Sequence, residues 1–245
     1  MEYLIEADYE ALSRQVCDIL LDVVRKNKKA VIVLPTGNSP LGAYRLFVKQ
    51  VREERISLEE VTFIQLDEWA GLDAAHPSSC RYFLEKELLK PLFIKPANFI
   101  EFHGEAANLQ EECKRVEERI KRAGRISLVM LGVGKNGHIG LNEPGEGWQL
   151  SVHPVQLSQK SMTHSMLEQE KDKPTRGLTM GMELIFDAEK VLLIATGSEK
   201  KEAISSFFKD TVSPHCPVSI LKLHTNAVCV IEEEMYREAV DTNIV

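Results

Sequence analysis

The chain has 245 residues, 44% of them hydrophobic, with five cysteines and a formal net charge of −7. That length suits one large α/β domain over residues 1–245, with no internal repeat or low-complexity linker to divide it. The acidic balance argues against a broad nucleic-acid or anionic-membrane surface, although it leaves room for a small cationic pocket.

Met1-Glu2-Tyr3-Leu4 lacks the basic start and long apolar segment of a signal peptide, and the longest apolar runs are strand-sized, so a soluble cytoplasmic protein is expected. Leu12, Val16, Ile19, Leu20, Val23 and Val24 recur at helical spacing; residues 30–34 then read as a buried strand closed by Pro35, Gly37 and Pro40. A helix is expected from near Pro40, with Ser39 as its N-cap. Residues 61–66 read as a strand, 78–89 as a helix, 126–133 as a strand, 189–195 as a strand, 198–208 as a helix and 227–231 as the last strand. Residues 145–174 are polar, with a charge run at 168–173, and read as a mobile excursion over the site. Alternating strands and helices predict an α/β fold: an open, mostly parallel, Rossmann-like sheet with helices on both faces.

Ligands in such sheets bind where loops leave the carboxyl ends of strands, and three loops stand out. After the strand at 126–133, Gly132, Gly134 and Gly137 accompany Asn136, His138, Asn142 and Glu143. The glycine spacing resembles GxGxxG, but no helical pattern follows and Pro144-Gly145 would break one. Thr36-Gly37-Asn38-Ser39 lies between a strand and a helix start, where backbone amides, the helix dipole and two hydroxyls favour an anion; there is no GxxxxGK[ST] motif. Thr196-Gly197-Ser198-Glu199-Lys200 makes a second strand-to-helix turn and places Lys200 early in its helix, where a cation needs an anionic partner. The scattered cysteines include no CxxC pair, and the seven histidines show no HxxxH or HExxH spacing, so neither a disulfide framework nor a metal site is expected.

Leu34-Pro35-Thr36-Gly37, Leu66-Asp67-Glu68-Trp69 and Gly137-His138-Ile139-Gly140-Leu141-Asn142-Glu143-Pro144 occur in this order in a chain that resembles the glucosamine-6-phosphate deaminase (isomerase) family over most of its length. Lys135-Asn136, Gly145-Glu146 and Pro174-Thr175-Arg176-Gly177 are most similar to the galactosamine-6-phosphate deaminase/isomerase branch. The resemblance implies a hydrolase-type deaminase that converts a 2-amino-2-deoxyhexose 6-phosphate into a ketose 6-phosphate and ammonia without a cofactor. Galactosamine 6-phosphate, giving tagatose 6-phosphate, is the leading substrate; glucosamine 6-phosphate, giving fructose 6-phosphate, is the close alternative. Asp67 then carries the proton between C2 and C1, with Glu68 as a decoy on the opposite side. His138 opens the ring, Glu143 assists it, and Thr36, Gly37, Asn38, Ser39 and Lys200 hold the phosphate.

Two departures from the better-known deaminases stand out. Their phosphate-binding arginine has no counterpart in residues 161–167, where Lys160 and His164 are on offer; Arg176 is the substitute expected by similarity to sugar-phosphate lactonases. Asn136 replaces an aspartate beside the histidine, so His138 is expected to depend more on Glu143. Residues 151–155 carry no Lys or Arg where allosteric relatives bind an effector, and the chain ends soon after Glu232-Glu233-Glu234. Both point to unregulated kinetics in a monomer or small homo-oligomer acting on a small-molecule sugar phosphate. A 6-phosphogluconolactonase and a non-catalytic sugar-phosphate sensor are the competing readings. The Asn142-Glu143-Pro144 continuation and Asp67-Glu68 argue against the first, and the lack of room for a DNA-binding helix-turn-helix against the second.

Overall fold

The computed structural model describes residues 1–209 and 211–241. In chain order its strands are β1 (Glu2–Glu6), β2 (Val31–Leu34), β3 (Thr62–Gln65), β4 (Asp67–Trp69), β5 (Phe99–Ile100), β6 (Leu128–Gly132), β7 (His153–Gln156), β8 (Arg176–Thr179), β9 (Val191–Ala195) and β10 (Ala227–Glu232). The α-helices are α1 (Tyr9–Lys26), α2 (Asn38–Glu53), α3 (Cys80–Leu84), α4 (Leu109–Ala123), α5 (Met182–Phe186), α6 (Lys201–Phe208) and α7 (Glu233–Asp241).

Every residue of β2 is buried, and its side chains alternate between two cores: Val31 and Val33 enter one, Ile32 and Leu34 the other. Such a strand needs a sheet covered on both faces. Seven parallel strands form that sheet in the order β1-β10-β9-β6-β2-β3-β5. Leu12, Val16 and Leu20 of α1 and Tyr44 and Phe47 of α2 cover one face; Cys113, Val116 and Ile120 of α4 and Ile204 and Phe207 of α6 cover the other. From β2 the chain builds outward through β3 and β5 on one side, while β6, β9 and β10 lie on the other. This reversal opens a crevice between the carboxyl ends of β2 and β6.

A second, antiparallel sheet, β4-β8-β7, was not anticipated. After Gln65 the chain leaves the parallel sheet, and β4 pairs Asp67 with Thr179 of β8. The excursion at 145–174 thus contains an ordered strand, β7, and two short 3-10 turns, Ser161–Thr163 and Ser165–Leu167. Ser39 is not the cap of α2: the helix starts at Asn38, Gly37 occupies the cap position with φ 92°, and Pro40 falls in the first turn, where a missing N–H costs nothing. The helix expected at 78–89 divides into α3 and a π-helical turn, Glu85–Leu89. Beyond the last strand, where the sequence was expected to stop soon after Glu232-Glu233-Glu234, the chain forms α7 through Asp241; residues 242–245 lie outside the described residues.

Glu68 fastens the two sheets and α3 together. Its Oε1 accepts from the backbone N–H groups of Trp69 (2.8 Å) and Cys80 (2.9 Å). Its Oε2 accepts from Gln65 Nε2 (2.9 Å), Ser79 Oγ (2.8 Å) and Arg81 N (2.9 Å). Burial raises this carboxyl, and the donors from Arg81, Cys80, Ser79 and Trp69 oppose the rise. Glu68→Ala should therefore destabilise the fold by about 3–5 kcal/mol, since removing one side of a buried charged network leaves the other unpaired. Urea unfolding checks this, and a loss under about 1 kcal/mol would contradict it.

Candidate active site

The carboxyl ends of four adjacent strands, β3, β2, β6 and β9, deliver seven of the expected functional residues to one cleft of about 330 Å³. Gly37, Asn136 and Glu143 are not among its lining residues, and Glu143 borders a neighbouring cavity instead. The volume of the cleft is at the small end of the range for small-molecule sites and suits one hexose phosphate. Asp67, Thr36, Asn38, Ser39, His138, His164 and Lys200 all line it, joined by Lys135, Lys160, Ser161 and Trp69.

Asp67 opens β4 of the small sheet, with Met180 N donating to Leu66 O (3.0 Å) and Leu141 N to Thr179 Oγ1 (3.0 Å), so β4 and the histidine loop share one support. Burial, reinforced by the Glu68 carboxylate and eased by a hydrogen bond from Cys80, pushes the Asp67 carboxyl up to about 7. Glu68 itself points away from the cleft, as alternation along β4 requires.

Gly134 makes room for His138: a Cβ there would collide with the imidazole ring. Glu143 Oε2 lies 3.7 Å from His138 Nδ1, and Ser161 Oγ lies closer, at 3.2 Å. Burial raises the Glu143 carboxyl, but His138, Ser161 and the Ser158 N–H outweigh it and bring the group down to about 2. Asn136 contacts the main chain of His138 and not its ring. Its Oδ1 accepts from the His138 backbone N–H (3.2 Å), while Nδ2 donates to Glu143 Oε2 (2.6 Å) and Ser158 Oγ (3.1 Å).

At the other end, Lys200 Nζ donates to Ser39 Oγ (2.8 Å). Burial lowers the Lys200 ammonium, Glu199 opposes this and Lys135 adds to it. The His164 ring packs against Gly37, with Nε2 only 3.3 Å from where a Cβ would stand, and tilts against Trp69 with centroids 5.6 Å apart. Burial, then the charges of His138, Lys200 and Lys135, holds His164 down at about 4, so the ring is neutral at pH 7. Its Nδ1 accepts from Met166 N (3.2 Å), which leaves the proton on Nε2, facing the turn.

Arg176 does not reach the site where it was expected. It is exposed at the outer end of β8, paired with Gln156, and does not line the cleft. Thr179, the partner of Asp67, is three residues further on, about 10 Å along the strand and on the opposite face. Lys135, Ser158 and Ser161 were missed as site residues. Lys135 was visible only as a branch marker, and the two serines lie in a polar stretch that carries no motif.

The sequence profile of the family described as glucosamine-6-phosphate isomerases/6-phosphogluconolactonase matches residues 6–230, and the chain belongs to that family. AgaI of Escherichia coli (strain K12), provisionally named a deaminase, is 40% identical over 224 residues, covering 91% of this chain and 89% of AgaI. Glucosamine-6-phosphate deaminase of Thermoanaerobacter pseudethanolicus (strain ATCC 33223 / 39E) is 34% identical over 236 residues, 96% of this chain and 93% of its own. A solved monomeric glucosamine-6-phosphate deaminase superposes with a TM-score of 0.91 at 30% identity, covering 97% of this chain and all of the other. The 6-phosphogluconolactonase of Trypanosoma cruzi, at 18% identity and a TM-score of 0.77, shares the fold. No helix among the described residues is long and apolar enough to cross a membrane.

The raised carboxyl of Asp67 has a consequence for stability. Between the ordinary 3.8 and about 7 the folded chain keeps a proton that the unfolded chain releases, so stability falls as pH rises through that window. Asp67→Asn should stabilise the protein by about 2–4 kcal/mol at about pH 8, with the gain fading toward about pH 4. Urea midpoints at the two pH values measure it; a pH-independent difference would contradict the assigned burial.

Proposed function

We propose that this chain, acting as one catalytic domain, deaminates and isomerises a 2-amino-2-deoxyhexose 6-phosphate. Galactosamine 6-phosphate, giving tagatose 6-phosphate and ammonia, is the leading substrate. The observation that carries this reading is the shared cleft, where a carboxyl held at about 7 and a histidine face a cationic strand-to-helix turn. The galacto preference rests on the similarity to AgaI; nothing in the cleft assigns a residue to the C4 hydroxyl, and glucosamine 6-phosphate, the substrate named in other relatives, is the alternative.

The chemistry follows from the two ends of the cleft. The 6-phosphate sits on the backbone amides of Gly37, Asn38 and Ser39 at the start of α2, with the Thr36 and Ser39 hydroxyls, Lys200, Lys135 and the Nε2–H of His164 as further donors. The His138 ring takes the anomeric proton and returns one to the ring oxygen, which opens the sugar. Asp67, as carboxylate, removes the C2 proton while O1 takes one from the substrate's own ammonium, giving an enolamine; Asp67 then delivers its proton to C1, leaving a C1 hydroxyl and a protonated C2 ketimine. Water then adds to the C=N bond, and ammonia departs with the ketose phosphate. A carboxyl near 7 both accepts and returns a proton at neutral pH, which a free carboxylate does poorly. The net equation consumes water, but the proton shift is the defining step, so deaminase/isomerase describes the activity where hydrolase does not.

Two variants test the division of roles. Asp67→Asn should lower kcat by about 10²–10⁴ while substrate affinity stays within about twofold; normal turnover would show that another group is the base. Lys200→Ala and Lys135→Ala should each raise KM about tenfold or more with kcat largely kept, whereas Arg176→Ala should leave both unchanged. Ammonia release from both hexosamine phosphates gives these constants, and a raised KM in Arg176→Ala would restore the arginine to the site.

A second cavity, lined by Glu143, Glu146, Ser151, His153 and Gln156 among others, includes no Lys or Arg. It offers an anionic effector no compensating charge. Hyperbolic rate curves, unchanged by N-acetylhexosamine 6-phosphates, are expected from a monomer or small homo-oligomer; the monomeric relative supports that state. Sigmoidal curves relieved by such an effector would contradict it.

A further inference from the structure

Two polar side chains, Glu143 and Ser161, stand around Nδ1 of His138, and their distances rank them. Glu143 Oε2 stands at 3.7 Å, outside hydrogen-bond range; Ser161 Oγ is at 3.2 Å; and Asn136 reaches only the backbone N–H of His138. We propose that Ser161 is a positioning residue that fixes His138 as its Nδ1–H tautomer, so that the Nε2 lone pair faces the cleft. The inference rests on the reading of His138 as the ring-opening acid/base group.

The donor and acceptor count supports the direction of each bond. Ser158 Oγ accepts from Asn136 Nδ2 (3.1 Å) and from Ser161 N (3.2 Å), which leaves its own proton for Ser161 Oγ at 3.1 Å. Glu143, ionised because its carboxyl is held low, only accepts, and it draws the Ser161 hydroxyl proton toward itself. Ser161 Oγ is then left to accept the Nδ1–H of His138. The opposite tautomer would turn a ring lone pair toward the carboxylate. Ser161 is 4% exposed and sits in the 3-10 turn Ser161–Thr163, between Lys160 and His164, both of which line the cleft. The excursion over the site therefore carries the residues that face the phosphate and the hydroxyl that orients the histidine.

Ser161→Ala should lower kcat by about 10–100-fold, less than the loss of a proton-transfer group itself, and leave KM within about twofold. Ser161→Thr, which keeps the hydroxyl, should restore kcat to within about threefold. Ring ¹⁵N spectra of the labelled wild-type protein at about pH 9, above the ordinary imidazole range, should show His138 as a single Nδ1–H tautomer, and Ser161→Ala should mix the two. Wild-type kcat in Ser161→Ala, or an Nε2–H tautomer in the wild type, overturns the proposal, and the second result stands even if the alanine variant does not fold. His138→Gln separates the two layers. Lost turnover there with a wild-type Ser161→Ala sinks the positioning role alone, whereas retained turnover in His138→Gln sinks the reading of His138 as well.

Discussion

The buried carboxylate of Glu68 is the constraint on which the rest of the site depends. It takes donors from β3, from β4 and from the first residues of α3, and so holds the point where the chain passes from the parallel sheet into the small antiparallel one. Because consecutive side chains of a strand face opposite ways, anchoring Glu68 inward aims Asp67 at the cleft. The same anchor contributes to the chemistry: after burial, the Glu68 charge is the next cause of the raised Asp67 carboxyl. The proton affinity of Asp67 is thus raised first by burial and then by the residue that secures its backbone.

The two carboxyl groups assigned to the reaction are driven in opposite directions by their surroundings. Asp67 rises to about 7 in a buried setting beside a like charge, while Glu143 falls to about 2 beside an imidazole, the Ser161 hydroxyl and the Ser158 N–H. That separation lets one group move protons and the other stay charged. At the opposite end, Lys200, Lys135 and a neutral His164 surround a helix start that has no side-chain cap bond of its own. A chain of net charge −7 therefore concentrates positive potential where a phosphate would sit.

The parallel sheet was legible in the sequence because its central strands are apolar runs; residues 30–34 and 126–133 are buried on both faces, and the loops that leave them carry the site. The small sheet was hidden because Asp67–Trp69, His153–Gln156 and Arg176–Thr179 are too short to show alternation, and β4 holds two adjacent carboxylates. Helix α4 was missed for a related reason, since its narrow apolar stripe of Cys113, Val116 and Ile120 lies among charged residues. Arg176, expected in the site by similarity to sugar-phosphate lactonases, falls outside the cleft because strand register decides which residues of β8 meet Asp67: Thr179 does, whereas Arg176 pairs with Gln156. Ser158 and Ser161 are hydroxyls in a polar stretch, and only the folding of that stretch over His138 gives them meaning.

The most direct test of the account is the fate of the C2 hydrogen. Galactosamine 6-phosphate deuterated at C2 would be converted in ordinary water and the products followed by ammonia assay and NMR. The account predicts one ammonia per ketose 6-phosphate, with part of the deuterium recovered at C1, because one enclosed carboxyl moves it between adjacent carbons. Deuterium still on C2, or no ammonia from either hexosamine phosphate alongside hydrolysis of 6-phosphogluconolactone, would contradict it.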